Sequence, residues 1–159
     1  MNNMGCVDAL RKSDLFKGVS DDHVTVLESL LRLQVWEPEH FIFAQNEPAS
    51  RFYILIEGRV ELVHRFQDDS ALIGLLPVEV VKPYAAFGWS ALVEPFRYTL
   101  TAKALNRCSA YSFNADEFKQ TLLSRPELAV GTYRALTRIL ASRLTNTWGS
   151  LAELALAGK

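Results

Sequence analysis

The spacing of apolar residues changes character three times along the chain. Residues 7–12 (VDALRK) and 20–31 (SDDHVTVLESLL) carry a helical period. Ser20 suits the N-cap of the second helix, and Asp21 and Asp22 place carboxylates where the helix dipole favours them. Val24, Leu27, Leu30 and Leu31 fall on one apolar face. Leu15 and Phe16 are expected to pin the connection between the helices, with a turn at Gly18.

From about residue 33 to 113 that period disappears. LQVWEP, HFIFAQ, RFYILIEG, RVELVHRF, ALIGLL, VEVVKP, YTLTAKAL and CSAYSFN are short runs rich in β-branched and aromatic residues. Several alternate with period two, such as Tyr53/Leu55 against Phe52/Ile54/Ile56. Pro38-Glu39, Asn46-Glu47-Pro48, Asp68-Asp69-Ser70, Pro77, Pro83 and Asn106-Arg107 separate them. About eight short strands with frequent turns predict a mainly β fold with flanking helices, a sandwich or jelly roll (double-stranded β-helix), and not a parallel α/β sheet. Glu57-Gly58, between two strong strands, predicts a tight hairpin with a positive φ at Gly58.

After Asn114, itself a suitable N-cap for ADEFKQTLLS, the helical period returns. Pro126 fits the first turn of a second helix that runs to about Ala157, roughly 45–50 Å. Tyr133, Thr137, Leu140, Leu144, Thr147, Leu151 and Leu154 form a heptad stripe, interrupted in part by its threonines and by Gly131 and Gly149. Either the helix packs on its own barrel, or it pairs with its twin in a homodimer. The organisation expected is one domain over 1–159: helices in 1–32, a β roll in 33–113, and C-terminal helices in 114–157.

Composition narrows the classes. The chain has 159 residues, 49% hydrophobic and 22% charged, and its net charge of −1 argues against a basic nucleic-acid binder. Cys6 and Cys108 are too few for a disulfide scaffold and lie in no C-x-x-C. No apolar run is long enough for a membrane helix, and the first residues lack a signal-peptide core. A cytoplasmic protein is expected, with no membrane association. His23, His40 and His64 have no metal-ligand spacing, and no G-x-S-x-G elbow occurs. Neither an enzyme nor a metal site is expected.

Lys82–Leu105 holds the most informative chemistry. The chain leaves a strand, passes Phe87-Gly88, makes about one turn at WSALV, and returns through Glu94-Pro95-Phe96-Arg97. Free N–H groups at a helix start, a Ser90 cap and an Arg97 fork would together cradle a phosphate. The other reading is a turn plugging the barrel end, with Arg97 paired to Glu94 at the surface.

The whole layout, from about Asp14 to Leu154, resembles the cyclic nucleotide-binding domain of the catabolite-activator and fumarate/nitrate-regulator superfamily. Phe52-Tyr53-Ile54-Leu55-Ile56-Glu57-Gly58-Arg59-Val60-Glu61-Leu62 matches its signature hairpin. Phe87-Gly88 with Ala91-Leu92 matches the start of its phosphate-binding cassette, and the final helix matches its dimerisation helix. The family pattern also has a Gly where this chain has Tyr84 or Ala85, and a Glu that holds the ribose 2′-hydroxyl where this chain has Trp89. The cassette Arg has its candidate in Arg97, although a gapless count from Thr101-Ala102-Lys103 puts Tyr98 in that column.

The resemblance implies a sensor whose ligand is cyclic AMP or cyclic GMP. The expected ligand-binding residues are Phe87, Gly88, Trp89, Ser90, Ala91, Leu92, Arg97, Tyr98 and Thr99, with Arg138, Ser142 or Asn146 reaching the base. It also implies a homodimer through the last helix and an unidentified protein partner. No helix-turn-helix follows that helix in this sequence, so the chain reads as the sensor half, without nucleic acid as a partner. The alternative is a degenerate roll serving as a protein-interaction or assembly module, its pocket filled by Trp89 and Tyr98.

Overall fold

A computed structural model describes residues 3–159. Helices α1 (Asn3–Lys12) and α2 (Asp21–Leu30) lead into β1 (Leu31–Trp36), β2 (Phe41–Phe43), β3 (Arg51–Glu57), β4 (Val60–Gln67), β5 (Ile73–Val81) and β6 (Ala86–Phe87). A 3-10 turn (Trp89–Leu92), β7 (Thr101–Ala104), β8 (Cys108–Asn114), α3 (Ala115–Leu123) and α4 (Pro126–Ala157) complete the chain. The strands form two four-stranded sheets, ordered β1-β8-β3-β6 and β2-β7-β4-β5. Every pairing is antiparallel, as in a jelly roll.

The predicted caps are in place. Ser20 Oγ accepts from the His23 N–H, and Asn114 Oδ1 accepts from the Asp116 and Glu117 N–H groups. Pro126 opens α4, where its missing N–H costs nothing. The N-terminal helices are docked: Leu15 and Phe16 are fully buried, and the half-buried Cys6 thiol donates to Tyr111 Oη at 3.2 Å. Burial pushes the Tyr111 phenol up to about 12.

β3 is buried on both faces. Phe52 faces the helices, stacking on Phe113 at 4.9 Å and meeting Phe118 of α3 edge-on at 4.9 Å. Tyr53 faces the inside of the roll, against Trp36, Phe43 and Phe87. A strand covered on both sides needs no polar face, hence FYILI.

Two expectations need correction. Glu57-Gly58 closes no hairpin, because β3 and β4 lie in different sheets; the turn carries the chain from one layer to the other. Gly58 does have φ +88°, and a Cβ there would sit 2.6 Å from the Arg107 carbonyl oxygen and 2.8 Å from Cys108 Sγ. ALIGLL and VEVVKP are not two strands but one, β5, which runs through Pro77. It tolerates the proline because it is an edge strand and because its register with β4 shifts between Leu62 and Val63, beside the Val63–Pro77 pair. β6 is a two-residue strand on the β3 edge, too short to have a period.

Gly58→Ala should therefore destabilise the protein by about 2 kcal/mol or more, combining left-handed strain with a backbone collision. Urea unfolding checks this. A loss below about 0.5 kcal/mol, the range of ordinary surface changes, would contradict it.

α4 divides by environment. Leu128, Thr132, Ala135 and Leu136 are buried against the rest of the protein. Tyr133, Leu140, Leu144, Leu151 and Leu154, all on the heptad stripe, are exposed. Over the first half of α4, the face that packs on the chain's own body is thus not the heptad face.

Candidate ligand-binding site

Gly88 sets the geometry of the site. At φ +71° it turns the chain from β6 into the Trp89–Leu92 turn, and a Cβ would crowd Phe43, Tyr53 and the Arg51 carbonyl at 3.1–3.3 Å. The turn holds four residues, with the Ala91 N–H on the Gly88 carbonyl and the Val93 N–H on the Ser90 carbonyl. Ala91 and Leu92 are buried in the core, as is Phe87 behind them. Trp89 and Ser90 are half-buried.

The returning segment pairs with the loop at 46–49. The Tyr98 N–H meets the Glu47 carbonyl at 3.0 Å, the Asn46 N–H meets the Tyr98 carbonyl at 2.8 Å, and the Ala49 N–H meets the Phe96 carbonyl at 2.8 Å. Side chains alternate along such an extended segment, so Arg97 and Tyr98 must point opposite ways. Tyr98 points inward. It stacks on Phe43 at 3.8 Å and donates its hydroxyl to the Arg51 carbonyl at 2.6 Å, and burial raises its pKa. Arg97 is exposed and donates to the Asn46 carbonyl at 2.7 Å. It forms no ion pair with Glu94 among the described residues.

A cavity of about 460 Å³ lies between this segment, β4, β5 and α4. That volume is in the range of small-molecule sites. Of the residues expected from sequence, Gly88, Trp89, Ser90, Tyr98 and Thr99 line it, while Phe87, Ala91, Leu92 and Arg97 do not. Phe43, Leu62, Leu76, Val78 and Leu100 add apolar wall. The α4 side is formed by Arg143, Asn146, Thr147, Ser150, Leu151 and Leu154. Asn146 is thus at the site as expected, while Arg138 and Ser142 line a neighbouring cleft of about 330 Å³ together with Asp14 and Lys17.

The central polar feature is one that sequence reasoning missed. Arg143 Nε bonds Glu79 Oε2 at 3.1 Å, its Nη2 donates to the Ala86 carbonyl at 3.3 Å, and its guanidinium lies 5.0 Å from the Trp89 ring centroid. Burial holds its pKa below the ordinary value, while Glu79 and Asp14 pull it back up. Asp14 in turn accepts from the Ala86 N–H at 2.9 Å, and burial raises its own pKa. One sequence signal existed: Arg143 stands next to Leu144 of the heptad stripe, where a helix turns from solvent toward its neighbour. Nothing in sequence, however, pointed to Glu79 as its partner. No group of three or more His, Cys, Asp or Glu among the described residues is placed to hold a metal ion.

The cyclic nucleotide-binding domain profile matches residues 33–125, more than half of the chain. The chain belongs to the cyclic nucleotide-binding domain family. A relative from Mycobacterium tuberculosis, a CRP-like cAMP-activated global transcriptional regulator, is 28% identical over 147 residues, covering 92% of this chain. The chain spans 62% of that regulator's length. Among solved structures, the N-terminal domain of a transcriptional regulator from Streptomyces coelicolor superposes with a TM-score of 0.68 at 26% identity, covering 85% of this chain and 94% of that one. A Geobacter metallireducens protein described as cyclic nucleotide-binding gives a TM-score of 0.73 at 23% identity, covering 86% of this chain and 96% of that one. Within the cyclic nucleotide-binding domain family, then, this chain has the jelly roll, the turn after Phe87-Gly88 and the long last helix. It also places a cation, Arg143, on α4 beside that turn. Among the described residues, no helix is long and apolar enough to cross a membrane.

Proposed function

We propose that this chain is a small-molecule-sensing regulatory module whose ligand occupies the cavity between the roll and α4. The observation that carries this is the cavity itself. Trp89 and Tyr98, the two bulky residues of the variant cassette, line it without filling it. Family membership supports a cyclic nucleotide, cyclic AMP or cyclic GMP, as the ligand class. The local chemistry supports only weak binding of either. The ribose acceptor is replaced by an indole, and Arg97 is turned away from the cavity. Each lost contact costs on the order of 1–3 kcal/mol, so the two together weaken binding by about thirtyfold or more.

The readout in this proposal is α4. Its residues both line the cavity and continue the exposed heptad stripe, so a ligand preferring one helix position shifts the population of the others. A second copy of the chain covers the stripe, and a partner protein reads the resulting geometry.

A panel of cyclic AMP, cyclic GMP, adenosine, guanosine and N-phenyl-1-naphthylamine tests the reading by thermal shift. At least one member should raise the melting temperature saturably, as any ligand selective for the folded state must. Thr99→Trp and Ser150→Trp, which plug the cavity from opposite walls, should each remove that shift. A panel that moves nothing, or moves both plugged variants equally, would favour the second reading. In that reading the roll is an interaction module. Its docking surface would then be the apolar edge strand β5, where Ile73, Leu75, Leu76 and Val78 are all exposed.

A further inference from the structure

We infer that the cavity selects an uncharged, largely apolar small molecule and discriminates against anions. The inference rests on the sensor reading above and names its ligand class. Among the described residues, Glu79 and Arg143 are the two ionised groups lining the cavity, and they are paired with each other at 3.1 Å. Asp14 also acts electrostatically on the same guanidinium and accepts from the Ala86 N–H, while Arg143 donates to the Ala86 carbonyl. The single cation is therefore already neutralised. A phosphate or carboxylate approaching it would come within a few ångströms of the Glu79 carboxylate.

Among the described residues no other cation lines the cavity, and Lys17 and Arg138 lie in the neighbouring cleft. Arg97 is committed to the Asn46 carbonyl outside the cavity. The remaining surface is that of an apolar box with neutral hydrogen-bonding groups. Phe43, Leu62, Leu76 and Leu100 form walls around the Trp89 and Tyr98 rings, and Ser90, Thr99 and Asn146 offer uncharged polar atoms. The Trp89 indole N–H is buried and has no acceptor among the described residues, a donor suited to a ligand carbonyl or ether oxygen. A neutral ring compound with one or two acceptors satisfies every one of these features, whereas a phosphodiester leaves its charge opposed.

A matched probe pair tests this: N-phenyl-1-naphthylamine, which is neutral, and 1-anilinonaphthalene-8-sulfonate, which has the same rings plus one anionic group. Fluorescence titration of the full chain should show the neutral probe binding roughly tenfold or more tighter than the sulfonate, because like-charge juxtaposition is strongly disfavoured at a desolvated site. Thr99→Trp should abolish the neutral probe's binding. Glu79→Gln should raise sulfonate affinity about tenfold by freeing the guanidinium, and Asp14→Asn should raise it in the same direction. If the unaltered chain binds the sulfonate as tightly as the neutral probe, and Thr99→Trp blocks both, the cavity is an anion site: the present inference fails and the sensor reading stands. If Glu79→Gln and Asp14→Asn both leave sulfonate affinity unchanged, charge opposition is not the selector and the inference fails likewise. If neither probe's binding responds to Thr99→Trp, the cavity is not occupied at all, and the sensor reading falls with the inference.

Discussion

Phe52→Ala is expected to cost about 3–5 kcal/mol of stability, the range for deleting a fully buried aromatic ring. Phe52 is 0% exposed and sits at the centre of a four-ring cluster drawn from distant parts of the chain. Phe113 stacks on it from β8, Phe118 of α3 meets it edge-on, and Phe16 reaches it from the connection between α1 and α2 at 6.5 Å. Phe16 also packs on Phe113 and Phe118, so each ring touches the other three and no single neighbour can move in to fill the gap. A domain's whole stability is about 5–15 kcal/mol, so the variant should be largely unfolded or close to it at 37 °C. Chemical denaturation gives the number. Phe66→Ala, on the exposed outer half of β4, is the matched control and should change stability by about 0.5 kcal/mol or less. A cost below about 1.5 kcal/mol for Phe52→Ala would mean that the helices are not locked to the roll through this cluster.

The same cluster explains which parts of the fold were readable in sequence. The ends of elements were written locally: Ser20, Asn114 and Pro126 each act on atoms within three residues of themselves, and all three do what their types predict. Sheet membership was not local. Phe52-Tyr53-Ile54-Leu55 reads as a strand, but nothing in those residues says that β8 and β6, not β4, lie beside it. The Glu57-Gly58 signal was read as a hairpin because a positive φ between two strands is the usual mark of one. A turn between layers needs the same φ, and only the collision partners, Arg107 and Cys108, reveal which kind it is. Pro77 misled for a related reason: its effect depends on whether the strand is at an edge, which is a property of the whole sheet.

The site was legible where it depends on backbone and illegible where it depends on partners. Gly88 turns the chain because its φ requires it, and the single turn Trp89–Leu92 follows it where the sequence placed one. Arg97 and Tyr98 are adjacent, and period two allows only one of them to face the cavity. Choosing between them needed the pairing of residues 96–98 with 46–49, two segments about fifty positions apart. The Glu79–Arg143 pair joins β5 to α4 across more than sixty positions, and neither residue has a motif around it. Such a pair is set by tertiary packing alone, yet it fixes the electrostatic character of the cavity.

Leu140→Glu combined with Leu144→Glu is expected to turn a dimer into a monomer. These two stripe residues are 37% and 50% exposed, and neither lines the cavity, so the pair tests the seam without touching the ligand walls. Beyond Ile139 the helix keeps presenting large apolar side chains to solvent: Trp148, Leu151 and Leu154 are 62%, 57% and 70% exposed. A helix apolar on its free side is stable only when that side is covered, and a heptad stripe is covered best by a copy of itself. Fully burying an exposed leucine is worth about 1.5–3 kcal/mol, and only the exposed 37% and 50% of these two remain to be buried, so each contributes about 1 kcal/mol to such a seam. The double substitution removes four of them per dimer, about 4 kcal/mol. That is about half of the roughly 8 kcal/mol holding a micromolar dimer, before the desolvation of the new carboxylates and the repulsion between them are counted. Sedimentation equilibrium should show the unaltered chain at twice its monomer mass and the variant at the monomer mass, with unchanged far-ultraviolet circular dichroism. An unaltered chain that is monomeric at 100 micromolar, on the order of a hundred times that dissociation constant, would remove the dimer from the proposal. The variant also bears on sensing. Linkage requires that a ligand which shifts the dimer be shifted by it equally, so the neutral probe's affinity should differ between the monomeric variant and the dimer by the same factor that the probe changes dimerisation. Equal affinities would leave the cavity and the seam as two independent features of one helix.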